Sequence, residues 1–264
     1  MHAKNGRAAM LATRANLIWT LFWHRFVPRN RSEGFKLLWV FLEPAAQLAL
    51  ILGIFTFIGR NGGYGISLAL FLLTGIAMLS IVTRGMMQVG GAVQALRSPR
   101  RLPEIGVFAD PLAALLFTLF TAAIYTGAIA WGIGHWQHVD VIPVAPFRVL
   151  EALAAAGLLA FGLGMIRGYS ARFAPVVMRA LGILSRALLF ISGVFYMPSY
   201  MPPFIRDWLY WNPVLHVVEL MRRGVYGDDY PSLVLDELYL GACALGLASF
   251  GMVLLWADRR RLLE

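Results

Sequence analysis

Cysteine is almost absent from this 264-residue chain: Cys243 stands alone in an apolar run and has no partner for an internal disulfide. Charge is also scarce. Only 14% of residues are charged against 59% hydrophobic, and the mean hydropathy of +0.68 excludes an ordinary soluble domain. No G-x-x-x-x-G-K-[ST] run occurs, so the chain cannot hydrolyse nucleotide by that route. No spacing brings a Ser, His and Asp together as a nucleophilic triad. His216 and Glu219, three apart on one helix face, make half of a metal site, but no second ligand pair accompanies them and no metal is expected. The apolar patch at residues 17–23 is short and runs straight into His24, Arg25 and Arg29 without a small-residue cleavage site, so it does not read as a signal peptide.

What is present is long apolar runs. Six windows of about 20 residues are hydrophobic enough to span a bilayer: residues 37–58, 66–82, 107–134, 147–166, 173–196 and 233–256. The expected fold is an all-α integral membrane protein. Most of the 23 basic residues fall on one side of these windows, in the N-terminal stretch, around Arg84 and Arg97–Arg101, at Arg167 and Arg172, and at Arg259–Arg261. By the positive-inside rule that side is cytoplasmic and holds both termini. The formal charge of +9 is then a topology signal, and no nucleic-acid partner is implied.

The expected organisation is a cytoplasmic segment at 1–36 and a six-helix transmembrane domain at 37–264. Within the first, residues 8–26 place Leu11, Ile18 and Phe22 on one face beside Trp19 and Trp23, the pattern of an amphipathic helix lying in the interface. A loosely ordered basic tail is the alternative. Between windows two and three, residues 88–96 can be helical, and two prolines then break the chain in Arg97, Ser98, Pro99, Arg100, Arg101, Leu102, Pro103 and Glu104. That run reads either as a loop for anionic lipid or as a docking element for a partner. Between windows five and six, residues 204–211 and a segment from Pro213 to about Arg223 are too short to cross a bilayer. Asn212 reads as an N-cap, Pro213 as the first helical residue, and Gly224 as the stop. The expectation is a re-entrant or interfacial helical hairpin at about 197–230 on the outer side.

Arg172, Arg179 and Arg186 are spaced by seven, a drift of only about 20° per step on a continuous helix. They would mark one basic stripe roughly 21 Å long. A charged side chain near the bilayer centre costs at least about 2.5–3.5 kcal/mol, so such residues face protein or water and carry function. Glu43, at a depth similar to Arg179, is a candidate partner for it; Arg186 has no acid at its level. Guanidinium groups bind phosphate and carboxylate through forked hydrogen bonds.

The run Ser192-Gly-Val-Phe-Tyr196 followed by Asn212-Pro213, His216, Glu219, Arg222, Gly224 and Tyr226 resembles the outer hairpin of capsule exporters. Together with the amphipathic N-terminus and six windows, it makes the chain similar to the membrane subunit of a polysaccharide-exporting ABC transporter, of the KpsM type. The resemblance implies a homodimeric permease in the bacterial inner membrane that is not itself an enzyme. Two copies of a separate ATPase would hold ATP and Mg, and residues of about 86–106 would form the coupling region on which it seats. It also implies a lipid-linked acidic glycan as cargo, and a periplasmic co-polymerase and an outer-membrane export protein as further partners. No cofactor is expected on this chain. The implied path begins at Arg84, Arg167 and Arg172 and continues to Arg179 and Arg186. Phe195, Tyr196, Tyr200, Trp208 and Trp211 would then stack on sugar faces. Export of O-antigen, teichoic acid or a small lipid or drug is an alternative of the same class. A membrane-embedded transferase using His216, Asp207 or Glu219 is one of a different class.

Overall fold

The computed structural model describes residues 16–26, 31–59, 67–96 and 107–257, apart from the side chains of residues 31–37 and 40. Among these residues the regular elements are helices and no strand occurs. α1 covers residues 16–24. It is followed by α2 (Arg31–Phe57), α3 (Leu68–Ala95), α4 (Ala109–Gln137), α5 (Pro146–Phe173) and α6 (Pro175–Ile191). A 3₁₀ turn (Pro198–Tyr200) leads into α7 (Pro203–Tyr210), α8 (Pro213–Tyr226) and α9 (Glu237–Ala257).

Four of these helices, α3, α4, α5 and α9, are long and apolar enough to cross a membrane, and Phe41–Phe57 of α2 is a shorter apolar helix. The windows read from the sequence locate the helices, with different ends. α3 does not stop near Val82. It continues as one helix to Ala95, so Arg84 lies inside it. α5 likewise runs past Ile166 to Phe173, which puts Arg167 and Arg172 on a helix rather than in a connection. The last helix begins at Glu237, where the Asp236 carboxylate accepts the Tyr239 N–H.

α3 is the centre of the bundle. Its residues from Leu68 to Val82 are apolar on every side, and it is buried on every side as well. α3 and α5 run in the same direction and touch through glycine: a Cβ on Gly164 would meet the Val89 side chain at 2.6 Å, and one on Gly168 would meet Val93 at 2.5 Å. Two small residues four apart let the backbones approach, the packing that apolar helices use in lipid. α9 closes on α5 still more tightly, because a Cβ on Gly162 would lie 2.4 Å from the Leu247 carbonyl carbon. At the other end of the chain, Phe22 of α1 packs with Ala113 and Phe117 of α4. Trp19 and Trp23 remain exposed, as expected of an amphipathic helix.

The stripe of three arginines is interrupted. Ala174 leaves the helical region at φ −148° and ψ 70°. The next residue, Pro175, has no N–H to donate and crowds a helical residue before it. Arg172 therefore belongs to the last turn of α5, and only Arg179 and Arg186 share α6. α6 also ends early, at Ile191 rather than Tyr196, and a non-helical segment follows.

Candidate functional site

α6 presents its arginines outward. Arg179 and Arg186 are exposed, together with Val176, Ile183 and Phe190, and Leu188 is the one buried residue of the helix. Neither guanidinium has a hydrogen-bond or ion-pair partner among the described residues. The candidate pairing of Arg179 with Glu43 is not what forms: the Glu43 carboxylate meets Arg84, at 3.3 Å. The i to i+7 register was legible in the sequence, but it takes the fold to show that Glu43 on α2 faces α3 at this level. Of the other proposed path residues, Arg172 stacks on Phe173 at 5.4 Å. Arg167 packs across Gly90, where a Cβ would meet its Nη1 at 3.3 Å. The coupling residues Arg97, Ser98, Pro99, Arg100, Arg101, Leu102 and Glu104 lie outside the described residues.

The hairpin residues do something other than decorate an interface. Where α6 ends, the Ser192 N–H makes the last helical bond, to the Leu188 carbonyl; Gly193 then takes φ +69°, and the chain turns through residues 193–196 without helical hydrogen bonds. A buried carbonyl without a partner is costly. Arg222 of α8 meets that cost: its Nη1 donates to the Gly193 carbonyl at 2.8 Å and its Nη2 to the Val194 carbonyl at 3.1 Å. Nη2 also reaches the Phe71 carbonyl at 3.4 Å, and the guanidinium lies 3.6 Å over the Phe71 ring. Arg222 is 0% exposed, and the space it fills exists because Gly75 has no side chain. Its charge is balanced by Glu219, equally buried, whose Oε1 lies 3.5 Å from Nη1 and accepts the Tyr230 hydroxyl at 2.8 Å.

Two more motif residues hold the same junction. Asn212 caps α8 through the Val214 N–H, and its amide donates back to the Ile191 carbonyl and the Ser192 hydroxyl. The Asp236 N–H donates to His216 Nδ1 at 3.1 Å, so Nε2 carries the proton and donates to the Tyr210 carbonyl at 2.7 Å. The imidazole is thus a neutral bridge joining the end of α7 to the start of α9. Replacing His216 with phenylalanine keeps the volume but strands the Asp236 N–H. The expected loss is about 1–3 kcal/mol of stability, read as a lower unfolding midpoint of the purified protein in detergent.

The structure sharpens the hairpin reading in one respect and corrects it in another. Asn212, His216, Glu219 and Arg222 are buried in the bundle, because α8 packs against α3 and α5. Gly224 is not the helix stop; α8 continues to Tyr226 and ends at Gly227, with φ +82°. Gly224 is instead a contact point, where a Cβ would meet the Val149 side chain at 2.7 Å. Beside it, Arg148 and Arg223 grip Asp228 at 2.5 and 3.1 Å and hold its carboxyl below the usual carboxylate range.

The aromatic residues divide. Phe195 stacks edge-on against Phe55 and tilts against Phe190, while Tyr196 is half-buried. Tyr200, Trp208 (81%) and Trp211 (70%) are exposed. Trp211 lines a cavity of about 590 Å³ with Arg206, Asp207, Tyr210, Leu233 and Val234. Missed in the sequence were Phe71, 151 positions from its partner Arg222, and Tyr230, 11 positions from its partner Glu219, which carry no local signal of these pairings.

A profile described as ABC-2 type transporter matches residues 16–226. Over 231 residues the chain is 30% identical to the polysialic acid transport protein KpsM of Escherichia coli, covering 86% of this chain and 88% of that protein. It is 24% identical over 248 residues to the capsule polysaccharide export inner-membrane protein CtrC of Neisseria meningitidis serogroup B, with 92% and 91% coverage. It is 25% identical over 218 residues to the capsule polysaccharide export inner-membrane protein BexB of Haemophilus influenzae, with 83% and 82% coverage.

Proposed function

This chain belongs to the ABC-2 type transporter family, and from that premise we propose that it is the membrane-spanning subunit of an ATP-driven exporter of lipid-linked acidic polysaccharide of the capsular kind. Relatives named for polysialic acid transport and for capsule polysaccharide export align with most of its length. The observation that carries the cargo reading is the pair Arg179 and Arg186, permanently charged on an outward face of an otherwise apolar helix. In lipid that arrangement costs several kcal/mol. Against a water-filled path carrying an anionic glycan it is favourable.

In this reading α2 to α6 and α9 are six spans with both termini cytoplasmic, and two copies of the chain meet with their α6 faces toward one path. The 17 residues of α6 rise only about 26 Å. The non-helical residues 192–197 complete the crossing, which irregular backbone can do where protein satisfies it, here through Arg222. α7 and α8 form the re-entrant hairpin at the periplasmic end. The cytoplasmic end, from α3 beyond about residue 86 to residue 106, seats one of two ATPase copies, which hold the ATP and Mg. The acidic, phosphate-bearing end of the cargo passes Arg84, Arg167 and Arg172 and reaches Arg179 and Arg186. Its sugars then slide over Trp208 and Trp211, where stacking is strong enough to guide and too unspecific to trap. A periplasmic co-polymerase and an outer-membrane export protein complete the route.

The test is biochemical. The purified chain should co-purify with a tagged ATPase encoded beside it, and in nanodiscs the complex should hydrolyse ATP faster when lipid-linked acidic glycan is added. A chain that retains no ATPase, or a complex indifferent to the glycan, contradicts the assignment.

A further inference from the structure

The cavity of about 590 Å³ beside α7 falls in the size range of small-ligand sites, and its walls differ in chemistry. Arg206, Asp207, Tyr210 and Trp211 line one side, and Leu233 and Val234 close the other from the segment before α9. Tyr210 stands one helical turn beyond Arg206, and Trp211 one turn beyond Asp207, because Trp211 keeps helical angles at the C-cap of α7. From Arg206 to Trp211 the axis rises only about 7.5 Å. All four residues are close enough to meet one small molecule.

The two rings are held in place. Tyr210 donates its hydroxyl to Asp236 Oδ2 at 2.6 Å and stands edge-on to His216, with centroids 5.2 Å apart. Trp211 stands edge-on to both Tyr210 and Tyr239, and its carbonyl accepts the Tyr239 hydroxyl at 2.9 Å. Its side chain nonetheless remains exposed. The charges, in contrast, are uncommitted. Arg206 and Asp207 are neighbours in sequence, but neither side chain makes an ion pair or hydrogen bond among the described residues. Asp236 is occupied by the Tyr210 hydroxyl and the Tyr239 N–H.

A fixed aromatic ring, a free guanidinium and a free carboxylate select by exclusion. A bare anion would use Arg206 alone and be repelled by Asp207. A neutral sugar could stack on Trp211 and donate a hydroxyl to Asp207, but it would leave the guanidinium without the forked partner it binds best. An apolar ligand would strip water from both charges. A sugar ring that bears a carboxylate satisfies all three groups. Its C–H face lies on the indole, a hydroxyl donates to Asp207, and its carboxylate accepts from Arg206.

We propose that this cavity is a subsite for one carboxylated sugar ring, with Arg206 as the residue that reads the carboxylate. The inference rests on the exporter reading above and deepens it, adding Arg206 and Asp207 to Trp211 where the glycan leaves the chain.

The experiment uses the full chain in nanodiscs, without ATPase, and reads binding by saturation-transfer NMR. The probes are a tetramer of galacturonic acid and its methyl ester, which keeps the rings and loses the charge. The unmodified chain should hold the acid about tenfold more tightly than the ester, the ratio given by one charge-assisted hydrogen bond. Arg206→Gln should bring the acid down to the level of the ester and leave ester binding unchanged, which also shows that the site is intact. Trp211→Leu should weaken both about fivefold and keep their ratio. Equal binding of acid and ester by the unmodified chain overturns the proposal, as does a preference that survives Arg206→Gln. Displacement of the tetramer by an equal concentration of inorganic phosphate overturns the assignment to a sugar. Any of these results alongside an ATPase that still responds to glycan removes the subsite alone. An unresponsive ATPase alongside an Arg206-dependent preference removes the exporter reading and leaves the subsite.

Discussion

Replacing Arg222 with alanine is expected to cost about 3–5 kcal/mol, the usual loss when one member of a buried ion pair is removed. Three things fail at once. The Gly193 and Val194 carbonyls lose their donors, the face of Phe71 loses its cation, and Glu219 is left as a buried carboxylate whose remaining hydrogen bond among the described residues is from the Tyr230 hydroxyl. Lysine should rescue little, because a compact ammonium cannot reproduce the forked contacts of a guanidinium to two successive carbonyls. The paired variant Glu219→Gln with Arg222→Met should be more stable than Arg222→Ala, since it removes the stranded charge along with its partner. Unfolding midpoints in detergent and the size-exclusion profile decide the matter. An Arg222→Ala protein as stable as the unmodified chain would mean that the junction after α6 is held by something else.

A second large effect is expected at Gly162. A Cβ there would lie 2.4 to 2.6 Å from the backbone of Leu247 and Ala248, so no side chain can move aside to admit it. Overpacking of a yielding core costs about 1–3 kcal/mol; against backbone the loss should exceed that range, and Gly162→Val should yield no folded, monodisperse protein. Gly246 on the facing helix provides the contrast, because nothing lies within 4 Å of a Cβ built on it. Gly246→Ala should leave stability unchanged or raise it by about 0.5–1 kcal/mol through helix propensity. If Gly162→Val folds normally, α5 and α9 do not pack as described.

The apolar windows located the helices, since span length and hydrophobicity are local properties. Window ends were less legible, because α3 and α5 continue as helices well past the apolar stretch that defined them. The interruption at Ala174 was written in the chain, as Pro175 restricts the residue before it, and reading Arg172 to Arg186 as one stripe overlooked that. Gly164 and Gly168 carry the spacing of a helix-packing motif, a local signal that went unread in the sequence. Arg222 did not. Its partners Phe71, Gly193 and Val194 are distant in sequence, so its polarity beside Trp and Tyr suggested an interface rather than an interior. Asn212 was legible as a cap because capping is a contact between near neighbours; His216 was not, because its bridge ends at Asp236.

The resemblance in the last third of the chain therefore has a physical content. Ser192, Gly193, Asn212, His216, Glu219 and Arg222 are the parts of one buried junction that lets α6 stop short and the hairpin begin. Their role is to position the end of α6, and with it the arginines that the cargo reading depends on.

Those arginines give the most direct test. Arg179→Ala with Arg186→Ala should leave the amount and unfolding midpoint of the protein unchanged, because both side chains are exposed and make no hydrogen bond or ion pair among the described residues. In a strain lacking the native permease, complementation with this variant should lower acidic glycan at the cell surface at least about tenfold, the loss expected for one or more charge-assisted hydrogen bonds to the cargo. Surface glycan equal to that of the unmodified chain, at equal protein level, would contradict the account.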